Sequence, residues 1–139
     1  AGASGDLTSP GEVQARSAGG ASILVIEDDE VLCQATRRML ESMGYTAVAV
    51  QMPDEAVAIV KQGTQQFDLL LVDVVMPGLN GVEVAACVLE LQPGMRVLYM
   101  SGYTAEAIVH RGVLNEGVHF LQKPFSSSEL AEKIREVLG

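Results

Sequence analysis

The most restrictive feature of this chain is a series of short β-like segments that each stop at a polar residue. Ile23 to Ile26 ends at Glu27-Asp28-Asp29, Leu69 to Val72 at Asp73, Arg96 to Met100 at Ser101, and His119 to Leu121 just before Lys123-Pro124. Unbroken apolar runs of this length suit strands buried on both faces, which occur in parallel sheets covered by helices. In such a sheet, residues that end successive strands gather in one crevice although they are far apart in sequence. The pattern therefore constrains fold and site together.

The intervening segments supply the helices. Glu30 to Met43 places Leu32, Ala35, Met39, Leu40 and Met43 on one face, with Gly44 where a C-cap falls. Thr46 to Val50 is a further strand; Pro53 opens a helix carrying Ala56, Val57 and Val60, and Gly63 closes it. After a loop from Val74 to Asn80, Gly81 to Leu91 reads as helix, with Val84, Ala85, Val88 and Leu89 towards the sheet. Ala105 to His110 makes a short helix that Gly112 and Gly117 prevent from continuing smoothly. Ser126 and Glu129 form a capping box for a last helix with Leu130, Ile134, Val137 and Leu138 at helical spacing. The alternation predicts an α/β fold, a five-stranded parallel sheet with helices on both faces and right-handed crossovers.

A chain of 139 residues suits one domain with one core. Residues 1–20, rich in Ala, Gly and Ser, read as a flexible linker or a cloning remnant, leaving 21–139 as the domain. With no Trp and 4% aromatic residues, the core must be built from aliphatic side chains and Met. A net charge of −9 with scattered Lys and Arg argues against direct nucleic-acid binding and against affinity for anionic membranes. No apolar run is long enough to span a bilayer, and the chain is read as cytoplasmic. Cys33 and Cys87 are widely separated and read as small half-buried thiols; His110 and His119 read as structural or solvated.

The strand-ending residues carry the chemistry. Glu27, Asp28 and Asp73 would crowd several carboxylates into a small volume, which favours a raised pKa or a bound cation. Mg²⁺ fits, because it takes few carboxylates, keeps waters and bridges to phosphoryl oxygens. Asp28 and Asp73 would hold it directly and Glu27 through water, whereas Asp29 and Glu30 suit the first turn of a helix. Asp73, held at a rigid rim, is the candidate nucleophile, since a carboxylate can attack phosphorus to give an acyl phosphate. Lys123 would contribute a point charge and Ser101 a hydroxyl hydrogen bond to the phosphoryl oxygens.

These residues resemble a response-regulator receiver domain of two-component signalling. The resemblance runs from Ile23 to Leu138 on Ile-Leu-Val-Ile-Glu-Asp-Asp at 23–29, Asp-Val-Val-Met-Pro-Gly-Leu-Asn-Gly at 73–81, Met-Ser-Gly-Tyr at 100–103 and Phe-Leu-Gln-Lys-Pro-Phe at 120–125. It implies a flavodoxin-like (CheY-like) fold, phosphorylation of Asp73 by a histidine kinase or histidine phosphotransfer domain, and Mg²⁺ bound by Asp28, Asp73 and the Val75 backbone carbonyl. It implies a fused kinase or output domain as a further partner, and a cis bond before Pro124. It also implies a switch in which the Ser101 hydroxyl moves towards the phosphoryl group and Phe120 turns inward behind it; Phe120 has no hydroxyl, so no buried phenol takes part. Val75 and Tyr103 flank the site and are expected to tune the lifetime of the acyl phosphate. The segment from His110 to Gly117 departs from the commoner family pattern. With Ser-Gly-Tyr-Thr at 101–104 and Arg-Gly-Val-Leu at 111–114 it is similar to receivers fused to hybrid sensor histidine kinases, so the usual dimer surface of the fourth helix, fifth strand and fifth helix is not carried over.

Two other functions compete with a phosphoacceptor switch. An aspartyl-nucleophile phosphatase would resemble an Asp-x-Asp pattern, but the second position here is Val75. A phosphorylation-independent interaction module would keep the fold while losing acceptor, metal or lysine residues, all of which are retained. A nucleotide-binding fold is disfavoured because no Gly-rich loop follows the first strand.

Overall fold

The computed structural model describes residues 20–76, 79–110, 112 and 118–139, with the side chain of Leu79 left aside. All of the expected linker but Gly20, and most of the segment from His110 to Gly117, lie outside the described residues, as do Pro77 and Gly78. In chain order the elements are β1 (Ser22–Ile26), α1 (Glu30–Ser42), β2 (Thr46–Val50), α2 (Pro53–Gln62), β3 (Leu69–Asp73), β4 (Val75–Met76), β5 (Leu79–Asn80), α3 (Gly81–Leu91), β6 (Arg96–Ser101), α4 (Ala105–His110), β7 (Phe120–Gln122) and α5 (Ser127–Leu138). The main sheet is parallel, in the order β2-β1-β3-β6-β7. Strand order reverses between β1 and β3, so their carboxyl ends open the crevice in which such sheets bind ligands.

Alternation along each strand divides the core between two faces. Ile23, Val25, Leu69, Leu71, Leu98 and Met100 pack with Leu40 of α1 and with Leu130, Ile134 and Val137 of α5. On the other face, Leu24, Ile26, Leu70 and Val72 pack with Ala56 and Val60 of α2 and with Val84, Ala85 and Val88 of α3. A smaller cluster, Val74 and Ile108 with Val82, Tyr99 and Phe120, lies under α4. Every residue of β3 is buried, in keeping with its central position and its unbroken run of apolar residues.

Local signals terminate the helices as the sequence anticipates. Pro53 stands in the first turn of α2, Gly63 ends it in the left-handed region at φ 70°, and Ser126 and Glu129 close a capping box on α5. Gly44, one residue beyond the α1 cap, has φ 97°. The fifth strand of the main sheet is displaced by one residue from the expected His119 to Leu121, and the loop after Asp73 contains a short antiparallel pairing of Val75 with Asn80 and Met76 with Leu79. Apolar periodicity cannot register ladders so short.

The buried stripe of α1 is Cys33, Thr36 and Leu40. This corrects the reading of Cys33 as half-buried: its position facing the sheet leaves it 1% exposed, while Cys87 is exposed. Burial raises the Cys33 thiol pKa, with the Glu27 charge adding to the effect. Among the described residues, Thr36 Oγ1 is the buried side-chain polar atom without a hydrogen-bond partner. Replacing it with a methyl should relieve that penalty. Thr36→Val is expected to stabilise the fold by about 1 kcal/mol, read as a higher urea midpoint at unchanged m-value; a lower midpoint would show that the hydroxyl has a partner.

Candidate functional site

The register sets the site. Ile26 lies beside Val72, Asp73 beside Met100 and Ser101 beside Gln122, so the residues that follow these strands emerge at one edge of the sheet. Lys123 continues that edge through its N–H to the Ser101 carbonyl, at 2.8 Å. It leaves a strand two places from β3 and three from β1, so only a long side chain can return to the crevice. Its Nζ bonds both Glu27 Oε1 and Asp73 Oδ2. The bond between Lys123 and Pro124 is cis.

Each carboxylate is also held from its other oxygen. Asp73 Oδ1 accepts the Val75 N–H at 2.9 Å, and Glu27 Oε2 accepts the Asp29 N–H at 3.1 Å. Glu27 and Asp73 are 1% and 5% exposed. Asp28, by contrast, is exposed, yet it offers a carboxylate oxygen within 4.8 Å of those of Glu27 and Asp73. Asp29 turns away to cap α1, its side chain accepting the Leu32 N–H at 3.0 Å.

Two carboxylates therefore share one ammonium, and the Asp28 carboxylate lies beside them. Burial pushes the Glu27 carboxyl above the usual glutamate range; the hydrogen bond from Lys123 and that from the Asp29 N–H pull the other way without cancelling it. Burial alone would lower the Lys123 ammonium, but hydrogen bonds and charge from Asp73 and Glu27 together hold its pKa above the ordinary lysine value. Lys123 is thus charged across the neutral range. The cluster retains excess negative charge and a set of hard oxygen donors, which fits a small divalent cation. Glu27 and Asp73 each have both oxygens bonded, whereas Asp28 presents its carboxylate on the exposed side of the cluster.

The other expected site residues lie close by in the fold. Ser101 is 1% exposed, and its Oγ accepts the Tyr103 N–H at 3.0 Å. Phe120 is half-buried and packs against the cluster of Val74, the residue after Asp73, and Ile108 of α4. The Val75 side chain projects to solvent, and Pro124 is exposed.

Sequence reading passed over the anchor of α3. Asn80 and Glu83 form a capping box, a spacing readable in advance, and the Gly81 N–H bonds the Val74 carbonyl at 2.7 Å. A Cβ on Gly81 would stand 2.3 Å from the Asp73 carbonyl oxygen. Glycine is required there by close approach to the strand that carries Asp73.

A family model for the response regulator receiver domain matches residues 23–135. The chain belongs to this family. The receiver is 30% identical over 120 residues to the sensor kinase CckA of Brucella abortus, covering 86% of this chain and 13% of CckA. It is 29% identical to the response regulator receiver protein CpdR of the same organism, covering 84% of this chain and 95% of CpdR. A crystal structure of the receiver domain of the sensor histidine kinase PA1611 from Pseudomonas aeruginosa, with a magnesium ion in its active-site cleft, superposes with a TM-score of 0.73 at 25% identity, covering 87% of this chain and 99% of that one. The flavodoxin-like, CheY-like architecture is thus shared with solved receivers. Receivers of two-component systems are generally signalling switches rather than enzymes acting on external substrates. Among the described residues no helix is long and apolar enough to cross a membrane.

Two variants test this geometry. Lys123→Met leaves Glu27 and Asp73 facing each other without a cation and should cost about 3 kcal/mol near pH 8, the low end for orphaning a buried charge. Because Glu27 is raised in the fold, its protonated form supports folding fully below an unfolded value of about 4.3, and that support is lost as pH rises through the folded value. The urea midpoints of variant and wild type should therefore converge towards pH 4.5; a constant difference would contradict the pairing. Gly81→Ala should destabilise by about 2–3 kcal/mol, as overpacking against backbone does; a neutral effect in the same assay would refute the close approach.

Proposed function

We propose that the receiver is a phosphoacceptor switch that takes a phosphoryl group onto Asp73 from a phosphorylated histidine of a histidine kinase or histidine phosphotransfer domain. The observation that carries this reading is the state of the Asp73 carboxylate. It sits at the buried rim of the central strand, with one oxygen on Lys123 and the other on a backbone N–H. In the transfer an Asp73 oxygen forms a bond to phosphorus while the phosphorus bond to the donor's imidazole nitrogen breaks, and the imidazole leaves.

Such a step depends on position and on neutralising charge at the phosphoryl oxygens. Lys123 supplies a fixed positive charge already in contact with Asp73. Asp28 and Asp73, with the Val75 carbonyl, would hold Mg²⁺, and Glu27 would act through water. The metal, when bound, supplies Lewis-acid neutralisation of the phosphoryl oxygens. Ser101 would donate its hydroxyl hydrogen to one of those oxygens.

The same contact makes a switch plausible in energetic terms. A phosphoryl oxygen gives the Ser101 hydroxyl an acceptor that exists only in the phosphorylated state, and a ligand shifts an equilibrium only through such differential contacts. Phe120, against Val74 and Ile108, is the side chain that would follow Ser101 inward and change the α4 face. We place the receiver domain at 21–139 in the cytoplasm, with a kinase or output domain, in this polypeptide or another, as the element controlled; direct nucleic-acid binding and membrane attachment are not part of this reading.

Intact mass after incubation with Mg²⁺ and acetyl phosphate tests it. A gain of one phosphoryl group that needs Mg²⁺ and disappears in Asp73→Asn is the expected result. A wild type that gains nothing and also fails to bind beryllofluoride, which does not hydrolyse away, would leave a phosphorylation-independent interaction module instead.

A further inference from the structure

We infer that Gln51 is a positioning residue for Asp28, and that it sets the preference of the site for Mg²⁺ over larger divalent cations. The inference rests on the reading of Asp28 as a metal ligand. Asp28 is the exposed member of the carboxylate cluster, yet the peptide unit that follows it is held on both sides. Its N–H, belonging to Asp29, donates to Glu27 Oε2 at 3.1 Å. Its carbonyl, belonging to Asp28, accepts from Gln51 Nε2 at 3.4 Å, across 23 positions of sequence.

Helix α1 does not use that carbonyl. The first bond of the helix runs from the Cys33 N–H to the Asp29 carbonyl, and the Leu32 N–H is taken by the Asp29 side chain. Gln51 supplies the donor instead. It follows β2 directly, and the Glu27 N–H already bonds the Val50 carbonyl at 3.0 Å, so the Gln51 carboxamide extends the pairing of the two strands by one more rung. The solvent-exposed bond from the Gln51 carboxamide and the bond to the buried Glu27 carboxylate together restrain the peptide plane from which the Asp28 side chain departs.

The consequence follows from the demands of the ions. Mg²⁺ requires near-octahedral geometry at short distances, whereas Ca²⁺ accepts variable, looser coordination. Loss of the Gln51 donor leaves ligand number and charge unchanged but frees the Asp28 peptide, which penalises the rigid ion more than the flexible one.

Isothermal titration of wild type, Gln51→Ala and Gln51→Met with Mg²⁺ and, separately, Ca²⁺ tests this; the methionine variant keeps side-chain length and loses only the donor. Groups that orient metal ligands are commonly worth tenfold or more in affinity, and a single long bond should give about five- to tenfold weaker Mg²⁺ binding in both variants, with about twofold or less for Ca²⁺. Melting temperatures in chelator should match the wild type. Unchanged Mg²⁺ affinity, equal weakening for both ions, or a fall in melting temperature without a change in selectivity would each overturn the assignment. A wild type that binds no Mg²⁺ would remove the underlying reading, a result distinct from variants that bind as the wild type does.

Discussion

The organisation of this receiver depends on one ammonium shared by two buried carboxylates. Glu27 and Asp73 end neighbouring strands and would repel each other across the crevice; Lys123, from the far side of the sheet, lies against both. Removing charges from water is unfavourable unless they are paired and hydrogen-bonded. Here each carboxylate has a lysine contact on one oxygen and a backbone N–H on the other. That satisfaction lets both carboxylates occupy buried positions at the edge of the sheet.

The sheet is the means by which the three residues meet. Parallel pairing in the order β2-β1-β3-β6-β7 aligns strand ends, and the paired faces of aliphatic side chains leave the sheet little freedom to shear. Where the scaffold needs close approach, it uses glycine at 81, with α3 starting directly on the strand that carries Asp73. The cluster around Phe120 under the short α4 is much smaller than the two main faces of the core. Elements held by few buried contacts are the ones that open or shift most readily, which is what the proposed switch would require of this cluster.

Much of this was legible in the residues. Strand-length apolar runs, Pro53, Gly63 and the Ser126 and Glu129 box each have a local cause, and the structure places them accordingly. Glu27, Asp28, Asp73 and Lys123 were brought together by topology alone, because parallel strands deliver their carboxyl ends to one edge. Other features depend on three dimensions. The Cys33 and Thr36 side of α1 was missed because small and polar residues score weakly as apolar periodicity, although the helix must press them against the sheet. The one-residue shift of β7 reflects hydrogen-bond register with β6, which a three-residue strand cannot announce. Gln51 gave no signal, since its role is a bond to a backbone carbonyl on another strand end.

The central claim is that Lys123, the carboxylate cluster and Ser101 make Asp73 a metal-dependent phosphoryl acceptor. The most direct measurement is fluorine NMR of beryllofluoride, a phosphoryl mimic that does not hydrolyse away, added to the protein with and without Mg²⁺. The account predicts a bound signal that requires Mg²⁺, is abolished in Asp73→Asn and is weakened in Lys123→Met. A bound signal that persists in Asp73→Asn, or none in a folded wild type with Mg²⁺ present, would contradict it.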